Sequence, residues 1–132
     1  MPINPGKYAQ NEAWVLFQLN DAPVHTEADD DFDVMAIMDV ATGLILGMEF
    51  VGVLAEELSE LESRKLLASA ESEAGGRPKS LFVDADKKAA QTVEAAGALG
   101  LEVFRESGSN LSSITQEARE GFAAHVGGAN WQ

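Results

Sequence analysis

The sequence predicts an α/β domain, a mixed sheet of five strands flanked by helices. Three observations carry that reading. Three strand-like segments follow one another with no helix between them. The apolar spacing then changes to a helical one. From there to the end, two short apolar strands alternate with helical segments.

Residues 1–12 carry Pro2, Pro5 and Gly6 and read as an arm before a single domain over 13–126. Ala13–Leu19 (AWVLFQL) is rich in aromatic and branched residues and reads as a buried strand. A polar connection over 20–31 holds Pro23, His25 and an acidic run. Phe32–Asp39 and Leu44–Val51 read as a hairpin whose turn, Val40-Ala41-Thr42-Gly43, has its glycine near the end. Phe32, Val34, Ala36 and Met38 alternate on one face of the first hairpin strand, and Leu44, Leu46, Met48 and Phe50 on one face of the second. Apolar residues on the opposite faces (Met35, Ile37, Ile45, Val51) predict cover on both sides for part of the sheet.

A helix is expected from Leu54 to about Glu73, with Leu54, Leu58, Leu61 and Ala68 inward, widened by Leu66 and Leu67, and Gly75-Gly76 as its stop. Ser80–Val83 follows as a strand. Asp84 or Asp86 then caps a helix to about Leu99, with Ala89, Val93 and Ala96 inward. Leu101–Phe104 is the fifth strand. Ser109 or Asn110 caps a last helix with Leu111, Ile114, Ala118, Phe122 and Val126 on one face, and 127–132 reads as a flexible tail. Consecutive strands pair antiparallel and βα crossovers are right-handed, so the first strand belongs in the centre, parallel to the fourth.

Composition narrows the function classes. The 132 residues suit one domain, and no apolar run approaches the ~20 residues of a membrane span. The opening MPINPGKYAQNE has no apolar core of a signal peptide and there is no cysteine, so a cytoplasmic protein without disulfides is expected. The net charge of −13 is uneven. Through Ser63 there are thirteen acids against Lys7 alone; from Arg64 onward eight basic residues face nine acids. Nucleic acid is disfavoured as a partner unless metal ions intervene, because binding needs a basic stripe against the phosphates. A solvated, self-repelling surface or a basic protein partner fits instead. The sheet's open edges also permit a homodimer.

The element order β-β-β-α-β-α-β-α and strand order 3-2-1-4-5 resemble the ribonuclease H-like fold. The stretch RPKSLFVDADKKAA…ALGLEVF is similar to the matching part of integrase-type catalytic domains and of uncharacterised bacterial domains. The resemblance implies carboxylates at the ends of strands one and four holding two Mg²⁺ or Mn²⁺ ions for phosphodiester hydrolysis. Carried over, it points to Asp21 and Asp84, with Glu57 or Glu60 from the first helix. Asp84 and Asp86 are the metal candidates on strand four's side. The residues also offer another reading: Asp84 and Asp86 suit the first turn of the next helix, Glu60 can pair with Arg64, and strand one's own polar residue is Gln18.

Other chemistry is thinly supplied. Counted from Asp29 as an EF-hand loop, positions six and twelve are Val34 and Val40, which excludes that loop; a weaker cation contact at the run stays open. His25 and His125 have no second ligand at zinc spacing. There is no nucleophile elbow, no base beside Ser109, and no phosphate-binding glycine loop. Trp14 reads as core and Trp131 as a tail residue suited to docking. The leading expectation is a noncatalytic acidic binding or regulatory module, without cofactor. Its acidic front would be the 21–33 connection with Glu56, Glu57 and Glu60. The alternative is a metal-dependent phosphodiesterase using Asp21, Asp84 and a helix glutamate.

Overall fold

A computed structural model describes residues 3–20, 31–52, 55 and 57–128, with side chains through 124. Asp21, His25, Leu54, Glu56, Trp131 and the acids at 27–30 lie outside the described residues, as do the side chains of His125 and Val126. The strands are β1 (Ala13–Gln18), β2 (Phe32–Asp39), β3 (Ile45–Gly52), β4 (Ser80–Asp84) and β5 (Glu102–Glu106). The helices are α1 (Glu60–Ala74), α2 (Ala90–Ala98) and α3 (Gly108–Gly128). The sheet order is β3-β2-β1-β4-β5, with β1 antiparallel to β2, β2 antiparallel to β3, and β1–β4 and β4–β5 parallel. Both the order and the mixed character are those the sequence predicts.

Two cores lie on opposite faces of the sheet. One joins Trp14, Leu16, Ile37, Leu46, Leu81 and Val83 to Leu66, Leu67 and Ala70 of α1 and Ala95 and Ala96 of α2. The Ser63 and Thr92 hydroxyls meet between those helices at 2.7 Å, so their burial leaves neither unpaired. The other core joins Val15, Phe17, Val34, Ala36, Met38 and Phe82 to Leu111 of α3, with Ile114, Ala118 and Phe122 partly buried beside it. The N-terminal arm belongs to this second face. A short 3₁₀ turn at Pro5–Lys7 brings Tyr8 edge-on to Phe82, and the Ser113 hydroxyl donates to the Ile3 carbonyl.

Several boundaries differ from expectation for local reasons. Helix α1 begins at Glu60, because Ser59 and Glu62 form a capping box, each side chain accepting from the other's backbone N–H. Its buried stripe is therefore Ser63, Leu66, Leu67 and Ala70. Leu61 and Ala68 face outward, while Leu58 is buried from the segment preceding the helix. The stop at Gly75 is as expected, with φ +82° and its N–H donating to the Glu71 carbonyl. Helix α3 runs to Gly128, two residues into the segment read as a tail.

The hairpin strands also hold a surprise. A register shift between Ile37 and Met38 turns Leu46 onto the α1 face, whereas Met48 and Phe50 stay opposite Ala36 and Val34 on the α3 face. A single alternating face Leu44–Leu46–Met48–Phe50 is thus broken by a bulge. Between them Gly47 lies under α1, where a β-carbon would stand 3.2 Å from Leu66 Cδ1, 3.5 Å from its carbonyl oxygen and 3.6 Å from the Ala70 nitrogen. The β-carbon alone would press only on the movable Leu66 methyl, but the γ-methyls of valine extend beyond it toward the Leu66 carbonyl and the Ala70 nitrogen, which cannot give way. Gly47→Val is therefore expected to destabilise the domain by about 2 kcal/mol, as overpacking does. Thermal or urea unfolding of the variant checks it, and an unchanged midpoint would mean that α1 does not sit this close to β3.

Candidate functional site

The C-terminal ends of β1 and β4 lie side by side, the place where an open α/β sheet forms its ligand crevice. On the α3 face there is a small hollow here of about 260 Å³. Phe17 and Gln18 of β1, Asn20 just beyond it, Asp84 of β4 and Lys87 after it form two walls. The third wall is one side of α3, where Gly108, Leu111, Thr115 and Arg119 recur at helical spacing.

Most of the polar groups here are already engaged in holding the scaffold. Asn20 is buried; its Oδ1 accepts from the Val34 N–H at 2.8 Å and its Nδ2 donates to Asp33 Oδ1 at 3.1 Å. The Gln18 amide donates to the Asn20 carbonyl at 2.9 Å. The Thr115 hydroxyl returns to the Leu111 carbonyl. The Asn20 bonds fasten the end of β1 to the start of β2.

The structure brings Asp84 and Asp86 together, though not as caps of α2. Helix α2 starts after Ala89 with no side-chain cap, and its Gln91 N–H is instead met by Glu57 Oε1 at 2.9 Å. Asp84 Oδ1 accepts from the Asp86 N–H at 2.8 Å, closing an Asx turn. Asp86 Oδ2 accepts from the Gly108 N–H at 3.2 Å. A β-carbon on Gly108 would lie 3.3 Å from Asp84 Oδ2, so both carboxylates sit against the first turn of α3. The helix dipole favours negative charge there. Helix α3 takes its side-chain cap from Ser107, whose Oγ accepts from the Asn110 N–H, rather than from Ser109 or Asn110.

The other sequence candidates lie away from this crevice. Glu57 and Glu60 line a separate shallow hollow with Ser59, Lys88 and Ala90, which does not border the Asp84 crevice. Glu60 also pairs with Arg64 at 2.6 Å. Among the described residues no group of three His, Asp or Glu side chains converges on a point where a metal ion could sit. One step beyond the Leu16↔Val83 pair, the strand position next to Asp84 is Phe17. The crevice also takes two cations, Lys87 and Arg119, that the sequence reading did not single out. Only the spacing of 111, 115 and 119 on α3 hinted at the second.

A larger hollow of about 860 Å³ lies between α1 and α2, away from the strand ends. Its floor is Leu67, Ala68, Ala95, Ala98 and Leu99, and the pairs Glu60–Arg64 and Glu71–Arg77 stand on its rim.

No family model and no curated protein matches the chain. Solved structures do match. One is a chain of the simian T-cell lymphotropic virus intasome, solved by cryo-EM in complex with the PP2A regulatory subunit B56 gamma. The TM-score is 0.59 at 14% identity, over 92% of this chain and 44% of that one. The fold is ribonuclease H-like. At this identity the likeness is one of fold, and the chain spans less than half the length of the viral one. The ribonuclease H-like sheet explains why β1 and β4 frame the crevice; its chemistry depends on the residues found there.

Proposed function

We propose that the chain is a noncatalytic binding or regulatory module on a ribonuclease H-like scaffold, and that its acidic half docks on a basic protein surface. The observation that carries the first part is Phe17 beside Asp84. Two-metal hydrolysis needs several carboxylates converging on one point, to bridge ions about 4 Å apart. Here the neighbouring strand position is apolar, Asp84 and Asp86 are bonded at the start of α3, and Lys87 and Arg119 add positive charge to the same hollow. The second part is supported by charge: β1, β2 and β3 contain no Lys or Arg, and thirteen acids face one lysine up to Ser63.

The competing reading places Mg²⁺ or Mn²⁺ on Asp21, Asp84 and Glu57. A thermal-shift titration separates the two, because an ion that binds the native state must raise its melting temperature. With millimolar Mg²⁺ or Mn²⁺ the expected shift is no larger than that given by matched ionic strength. A rise abolished by Asp84→Asn, accompanied by cleavage of bis(p-nitrophenyl) phosphate, would establish the phosphodiesterase instead.

A further inference from the structure

We infer that the outer edge of β3 takes up an extended segment of a partner as a sixth strand, a segment that alternates apolar residues with Lys or Arg. The inference rests on the acidic-module reading and gives it a place and a geometry.

The β3 edge is built to accept a strand. It is eight residues long and ends the sheet, so one row of its backbone N–H and C=O groups has no strand partner among the described residues. Natural edges are usually guarded by charged side chains, lysine above all, by proline, by bulges or by cover. The sequence ILGMEFVG has no lysine or proline, Glu49 is its one charge, and its bulge falls at the start of the strand, leaving Gly47–Gly52 regular.

The two faces of this edge differ in chemistry. On the α3 face, α3 packs over β1 and β4 and leaves Met48 and Phe50 54% and 55% exposed. Phe32 stacks edge-on against Phe50 with ring centroids 4.8 Å apart, extending the apolar strip onto β2. On the α1 face the edge presents Glu49 between Gly47 and Val51. A sixth strand would therefore set every second side chain on Phe32, Met48 and Phe50, and the intervening ones beside Glu49.

Charge selects the occupant. A second copy would bring another strand with no cation to a sheet half that has none, and like charges meeting across a strand pair are unfavourable. Lysine or arginine at the intervening positions answers Glu49 and the field of the acidic half.

The test uses the full chain and three probes: an acetylated Val-Lys alternating peptide as long as β3, a block peptide of the same composition, and a Val-Glu alternating peptide. The alternating basic peptide is expected to bind, to perturb backbone amide resonances in 45–52, and to bind more weakly as salt is raised. Phe50→Ser, at a position exposed in the folded protein, is expected to weaken it about tenfold, the worth of one buried aromatic contact. Glu49→Lys should weaken it as well. Equal binding of block and alternating peptides, or perturbations confined to other segments, would overturn strand addition while leaving the acidic module standing. Binding of neither basic peptide would remove both. A dimer in sedimentation that Phe50→Ser dissociates would assign the edge to a second copy and overturn the inference.

Discussion

Trp14→Ala is expected to lower the unfolding free energy by about 4 kcal/mol, the range found when a buried tryptophan is truncated. Trp14 lies on the central strand, opposite Asp39 of β2 and level with Leu81 of β4, and is 1% exposed. Its ring belongs to the core shared by α1 and α2, so truncation leaves a void between the sheet and those helices. The indole N–H also donates to Asn11 Oδ1 at 2.6 Å. Asn11 holds the left-handed backbone, φ +62°, and gives its own N–H to Asp39 and its amide to the Gly76 carbonyl. Losing the indole thus frees the residue that ties β1, the β2–β3 turn and the α1–β4 loop together. Trp14→Phe keeps most of the apolar contact and should cost far less, about 1–2 kcal/mol. Urea unfolding reads both: the midpoint should fall with an unchanged slope. A loss for Trp14→Ala under about 2 kcal/mol would mean that the ring is not the centre of this core.

Much of this architecture is legible in the sequence because its causes are local. The β2 boundaries follow from alternation and a turn ending in glycine, and Gly75 stops α1 by the conformation it alone adopts cheaply. Strand order follows from the connection rules. The failures have physical reasons too. Leu54, Leu58 and Leu61 mimic a helical stripe, yet Ser59 and Glu62 start the helix later; the S-x-x-E signature was present and outranked by hydrophobic spacing. The bulge that turns Leu46 onto α1 is a backbone event with no composition of its own. Asp84 and Asp86 stand before α2 in sequence but bond at the start of α3, because the parallel β4–β5 pair brings Gly108 beside them. The crevice is harder still. Gln18, Lys87 and Arg119 are ordinary polar residues until the topology sets β1, β4 and α3 around one hollow.

Asp39→Ala should cost about 3 kcal/mol, a large loss for removing one small polar side chain. The carboxylate is 2% exposed, and three donors converge on it: the Asn11 N–H on Oδ1 at 2.9 Å, and the Thr42 N–H and hydroxyl on Oδ2 at 3.2 and 2.7 Å. A buried donor left without its acceptor costs about 1–3 kcal/mol; that loss falls on the half-buried Asn11 N–H, which cannot turn away, whereas Thr42 is exposed and its N–H and hydroxyl can meet water. Asp39→Asn retains one carbonyl oxygen and should fall between, at about 1–2 kcal/mol. Because Trp14 and Asp39 both act on Asn11, Trp14→Phe and Asp39→Ala are expected to be less than additive in a double-mutant cycle. The same carboxylate also shapes the turn into β3, since Thr42 Oγ1 accepts from the Leu44 N–H and the Asp39 carbonyl accepts from Gly43. Hydrogen exchange at Gly43 and Leu44 should therefore quicken in Asp39→Ala before global unfolding does. If β3 is where a basic strand adds, this variant should also bind the alternating peptide more weakly than its stability loss alone predicts, because the turn that holds that edge straight has been loosened. Faster exchange with undiminished peptide binding would separate the turn from the edge, and leave Glu49 and Phe50 as the determinants of docking.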